Sequence, residues 1–92
     1  MKEMYIKESE ILKAISHPVR LHIIDLLLIG IPKDACSVNS IQKELDIPQP
    51  TISQHLQVLK NHGIIDGEKK GVKVCYKVVD KRVAKILQVL KK

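Results

Sequence analysis

Residues 46–63, DIPQPTISQHLQVLKNHG, decide how this chain is read. Ile52, Leu56 and Leu59 recur at i, i+4 and i+7, the spacing of one buried helix face. The opposite face carries Ser53, Gln54, Gln57 and Lys60. Hydroxyls and amides both donate to and accept from base edges in a major groove, while an ammonium suits phosphate. An ordinary amphipathic helix would more often show Glu and Lys on that side. Just upstream, Ile41 and Leu45 give the apolar spacing of a short helix over 38–45, for which Ser37 is a natural N-cap. Two such helices joined by a tight turn make a helix-turn-helix over 38–62. Pro48 takes the place of a capping side chain, so Gln49 and Pro50 fall in the first turn and the exact start of the second helix stays open.

The downstream flank extends this reading. Gly63 suits the residue that closes the helix. In IIDGEKKGVKVCYKVVD, Val72, Val74, Tyr76 and Val78 alternate with Lys73, Cys75 and Lys77, which predicts a strand with one buried face. Lys69, Lys70 and Gly71 read as a tight cationic turn ahead of it. A hairpin with a basic tip over 64–79, directly behind a base-reading helix, is the wing of a winged helix. Its charge belongs beside phosphates.

The upstream flank supplies a first helix over 3–15, with Ile11, Leu12 and Ile15 apolar. Ser16-His17-Pro18 marks a break and restart, because Pro favours the first turn and disfavours helix just before it. In the second helix Val19, Ile23, Leu26 and Leu27 form one stripe and Leu21, Ile24 and Leu28 another, a surface wide enough to be buried on most sides. Gly30 ends it, and Ile31–Ser37 reads as a loop with one short strand leg at 35–37. Asp80 caps a last helix over 81–91, where Val83, Leu87 and Leu90 form a stripe widened by Ala84, Ile86 and Val89. So wide a face leaves too little of a 92-residue domain to cover it. A homodimer through 3–15 and 81–91 covers it; the alternative is a last helix folded onto its own domain.

With KAISHPVRLHIIDLL, PQPTISQHLQVLKNHGII and GVKVCYKV in that order, the chain from Leu12 to Asp80 resembles the ArsR/SmtB family of small repressors. The resemblance implies a dimeric winged-helix regulator, commonly one that leaves DNA when it binds a metal ion or when its thiols are modified. One family metal site uses Cys-Val-Cys at the start of the third helix; here the matching positions are Ser37-Val38-Asn39, and Cys36 lies one residue outside. Another uses Asp-x-His at the start of the last helix; here Asp80 is kept but Arg82 replaces the His and the helix ends in Lys91-Lys92. A cation cannot ligate zinc. No metal and no cofactor is therefore expected. His17 reads as local cap chemistry before Pro18, His22 and His62 as surface residues, and His55 as packed at the recognition helix.

The winged-helix resemblance also allows the segment before the third helix to pair with the second wing strand, bringing Cys36 near Cys75 as a redox pair. A bridge there would tug the wing and release DNA. It requires Cα atoms roughly 4.4–6.8 Å apart. The alternative is a buried, inert Cys36, since free cysteine often serves as a small hydrophobe.

Composition agrees with DNA as the partner. Sixteen Lys and Arg against ten Asp and Glu give a net charge of +6, doubled in a dimer, which attracts duplex DNA. With no Phe or Trp and only Tyr5 and Tyr76, the core must be aliphatic, and the stacking surfaces of RNA or single-strand binders are missing. No signal sequence or bilayer-length apolar run is present, and two cysteines without other secretory features fit a reducing, cytoplasmic setting. No Ser/His/Asp, Cys/His or paired-carboxylate constellation and no phosphate-cradling glycine loop suggest an enzyme.

The sequence therefore reads as a mainly α, single winged helix-turn-helix domain over 1–92, with about five helices and one β-hairpin. Its expected role is that of a repressor binding an inverted-repeat, double-stranded operator as a homodimer. Gln49, Ser53 and Gln54 are the expected base readers, with Thr51, Gln57 and Lys60 positioning. Lys69, Lys70 and Lys73 would hold flanking backbone. A thiol- or metal-responsive derepressor, or a protein-interaction module that kept the fold without DNA binding, are the rival readings.

Overall fold

The computed structural model describes residues 4–30 and 35–92. Five helices and one hairpin follow in the order α1 (Ile6–Ile15), α2 (Pro18–Ile29), α3 (Val38–Leu45), α4 (Gln49–Asn61), β1 (Ile65–Lys70), β2 (Lys73–Val78) and α5 (Lys81–Leu90). The first helix begins at Ile6, behind Tyr5 in a left-handed conformation. Residue 3 of its expected span, and residues 31–34 of the expected loop, lie outside the described residues.

Helix boundaries follow from local chemistry. The His17 Nδ1 accepts the Val19 N–H at 3.1 Å, capping α2 at the proline restart. The Ser37 Oγ accepts the Ser40 N–H at 3.2 Å and opens α3. Helix α4 starts at Gln49 behind Pro48 with no side-chain cap, and Pro50 lies in its first turn. Its end is closed by Gly63 at φ 69°, where the Gly63 N–H donates to the Lys60 carbonyl and the Ile64 N–H to that of Leu59, each at 3.0 Å. That pair of bonds is a Schellman motif, which needs the left-handed residue a glycine supplies.

The hairpin is antiparallel, running from Ile65 opposite Val78 to Lys70 opposite Lys73. Here the structure corrects two expectations. Lys69 and Lys70 belong to β1, and the turn is Gly71-Val72, with Gly71 at φ 64°. A two-residue hairpin loop favours glycine at its first position, which puts Val72 at the tip, 99% exposed and not in the strand. Along β2 the buried alternation is weak: Tyr76 and Val78 are half-buried and Val74 is exposed. Gly67, opposite Tyr76, has space for no side chain, because a Cβ there would lie 2.8 Å from Val74 Cγ1.

The expected strand leg at 35–37 is reduced to a single ladder bond, from the Tyr76 N–H to the Cys36 carbonyl at 2.8 Å. The core is wholly aliphatic: Ile23 and Ile24 of α2, Ile41 of α3, Ile52, Leu56 and Leu59 of α4, Ile64, Ile65, and Val83 and Leu87 of α5. Val83 and Leu87 are thus covered by their own domain, which corrects the expectation that their stripe lacks cover. The apolar residues left exposed on the helices include Leu12 of α1, Leu28 and Ile29 of α2, and Val89 and Leu90 of α5. None of the described helices is long and apolar enough to cross a membrane.

Candidate nucleic-acid interface

The outer face of α4 is built by subtraction. Ile52, Leu56 and Leu59 bury one side, so Gln49, Ser53, Gln54, Gln57 and Lys60 are left exposed on the other, with half-buried Thr51 at the border. Gln57 Nε2 donates to Asn61 Oδ1 at 2.8 Å, which fixes its amide along the helix. Ser53, Gln57 and Lys60 share a shallow hollow with Val38 of α3 and Tyr76 of the wing. Helices α4 and α3 and the hairpin therefore meet on one surface.

At the wing, Lys69, Lys70 and Lys73 are all exposed, and Lys70 stands directly opposite Lys73. Like charges paired across strands destabilise a hairpin. The ion pairs among the described residues are Arg82–Asp80 and Lys91–Asp25, so no carboxylate among the described residues relieves this repulsion. An anion at the tip would.

One cluster escaped the sequence reading. On the flank of α4 facing the start of α2, His55 packs on His17 with ring centroids 4.4 Å apart, and its Nδ1 lies 3.2 Å from an Arg20 guanidinium nitrogen. The Arg20 Nε–H donates to the Ala14 carbonyl. Burial, with the neighbouring His17 and Arg20, pulls the His55 pKa down. Arg20 thereby links the end of α1 to the middle of the recognition helix. His22 and His62 are exposed.

The metal positions of the resemblance do not fit a metal. Ser37 Oγ is engaged by Ser40. Asp80 accepts the Arg82 and Val83 N–H groups and a two-pronged Arg82 guanidinium contact, at 2.8 and 3.1 Å. Among the described residues no group of three or more His, Cys, Asp and Glu could hold an ion.

Comparison with known proteins now decides the family. A helix-turn-helix domain family matches residues 15–68. The chain is 33% identical over 86 residues to the HTH-type transcriptional repressor SmtB of Mycobacterium tuberculosis. It belongs to the ArsR/SmtB family of winged helix-turn-helix repressors. This ArsR/SmtB chain is also 42% identical over 88 residues to an uncharacterized HTH-type transcriptional regulator of Methanocaldococcus jannaschii, with 96% of each covered. The SmtB match takes in 94% of this chain but 61% of that repressor, so the chain spans about three-fifths of it. Among solved structures, HlyU from Vibrio cholerae superposes with a TM-score of 0.84 at 28% identity, covering 98% of this chain and 94% of that one. A homodimeric winged helix-turn-helix DNA-binding domain from Mycobacterium bovis superposes at 0.80 and 26% identity, covering 92% and 75%.

Proposed function

We propose that this ArsR/SmtB chain represses transcription by occupying an inverted-repeat operator as a homodimer, with α4 in the major groove and the wing on the flanking backbone. The facing, exposed Lys70–Lys73 pair beside an amide- and hydroxyl-bearing helix carries the reading. Gln49, Ser53 and Gln54 read base edges, Thr51, Gln57 and Lys60 position the helix, and Lys69, Lys70 and Lys73 hold phosphates. A pure protein-interaction module has no use for both a polar helix face and a paired cationic tip.

The dimer uses α1 and α5. Leu12, Ile15, Leu21, Ile86 and Leu90 line an apolar groove between these helices and α2, and its rim residues Leu12 and Leu90 are 51% and 66% exposed. Burying that surface against a second copy puts two recognition helices on one DNA face, about 34 Å apart. The HTH 38–62, wing 64–79 and dimerisation helices 3–15 and 81–91 act as one unit. A mobility-shift titration against random-sequence duplex, with selection of the retained DNA at stated salt, tests this. Recovery of a palindromic site supports it; retention that never rises above random competitor overturns it.

A further inference from the structure

Helix α5 has a groove on each side of its buried Val83–Leu87 ridge. Ile86 and Leu90 border the groove proposed above for a second copy. Ala84, Gln88 and Lys91 border the other, facing Asp25, Leu28 and Ile29 of α2, with Leu87 at its base. Positions 84, 88 and 91 are spaced i, i+4 and i+7, so they form one flank of α5, and dimerisation through the opposite flank does not fill this groove. It encloses about 350 Å³, a size usual for small-molecule sites. Its walls are aliphatic, and Leu28 and Ile29 stay 44% and 51% exposed. Its charges are one of each sign. The Lys91 Nζ donates to Asp25 Oδ1 at 2.8 Å, with 50% and 27% of the two side chains exposed. An ion pair that open to water holds weakly and exchanges partners readily.

We infer that this cavity binds a free amino acid with a branched aliphatic side chain, its α-ammonium on Asp25, its α-carboxylate on Lys91 and its side chain on the apolar walls. The ion pair decides the class. A carboxylic acid that took Lys91 would strand Asp25, and an amine that took Asp25 would strand Lys91, each leaving a partly buried charge without its partner. A zwitterion inserted between them satisfies both, exchanging one charge-assisted contact for two. Asp25 lies near the C-terminal end of α2, where the helix dipole also favours an ammonium. The walls choose the side chain: Leu28, Ile29, Ala84 and Leu87 offer aliphatic contact and no ring to stack on.

Asp25 and Lys91 are 66 residues apart and meet only in the folded chain, so the ligand binds the native state and stabilises it. The cavity shares α2 and α5 with the groove proposed for the dimer, which places such a ligand where an effector of the repressor would act. Binding itself stands independently of the DNA-binding reading, and so does its test.

The purified chain is titrated with L-leucine and followed by thermal unfolding and by the NMR signals of the Ala84 methyl and the Gln88 side-chain amide. Leucine should move both signals and raise Tm, with saturation below about 10 mM. Against the wild type, 4-methylpentanoate lacks the ammonium, 3-methylbutylamine the carboxylate and glycine the side chain. Each should bind at least about tenfold more weakly than leucine. Asp25→Asn and Lys91→Gln should each weaken leucine by about tenfold, and Lys92→Gln should leave it unchanged. Ala84→Leu, which fills the cavity and keeps both charges, should abolish binding. No saturable binding by the wild type, an analogue that binds as well as leucine, or leucine affinity unchanged in both charge variants would overturn the assignment.

Discussion

Asp80 does two things with one carboxylate: it caps α5 through the Arg82 and Val83 amides, and it takes the Arg82 guanidinium. Asp80→Ala should lower the unfolding free energy by about 1 kcal/mol, measured by urea titration. These bonds, chiefly the Arg82 side chain, hold the Asp80 pKa below its ordinary value. Stability it contributes is present above the usual carboxylate range and is lost as pH falls through the lowered pKa. His55 has the same sign in a different window. Its pKa is pulled down in the fold, first by burial, so the unfolded chain binds the proton more readily. Stability should be full above about pH 6.5 and decline below it. His55→Gln should flatten the decline in urea midpoint between about pH 7.5 and 5; an unchanged slope would place the titrating group elsewhere. The His17 cap could be read from His-Pro alone. Its contact with His55 could not, because periodicity carries no signal for residues brought together by the packing of α2 on α4.

The reading helix and the wing should fail in different ways. Gln54→Ala or Ser53→Ala should reduce discrimination between operator and random duplex, by roughly 1–3 kcal/mol for a bidentate contact and less for a single one. Lys70→Ala or Lys73→Ala should weaken both similarly and flatten the logarithmic salt dependence by about one unit. Lysine changes that altered base preference while Gln54→Ala did not would reverse the assignment. The helix was legible because a period of 3.6 separates Ile52, Leu56 and Leu59 from Ser53, Gln54 and Gln57 without ambiguity. The wing was legible as a hairpin but not in its register. Gly71 fits several turn positions, and with so little of β2 buried, hydrophobic alternation constrained the pairing weakly.

For the whole molecule, the proposed dimer contact rests on the exposed rim of the α1–α5 groove, which the stripe periodicity did not single out. Leu90→Glu together with Leu12→Glu should give a folded monomer by sedimentation and circular dichroism. Leu87→Glu should unfold the chain instead, since Leu87 is 7% exposed inside its own domain. A double variant that stays dimeric would move the interface elsewhere. A helical stripe says that a face is apolar; whether its own domain or another copy covers it depends on distances that no local pattern encodes. Cys36 and Cys75 are joined as a disulfide with Cα atoms 4.7 Å apart; it spans 39 residues, and opening it should cost about 4 kcal/mol by the loop-closure estimate. That span also has a topological consequence. The bond closes a covalent macrocycle around α3, α4 and β1, the segment that contains the reading helix. Lys43, Lys60, Lys69, Lys70 and Lys73 all lie inside it. A single tryptic cut at any of them leaves one covalent molecule, migrating near full size without reductant and as two fragments with it. A nick anywhere between Cys36 and Cys75 would therefore be invisible until the protein is reduced.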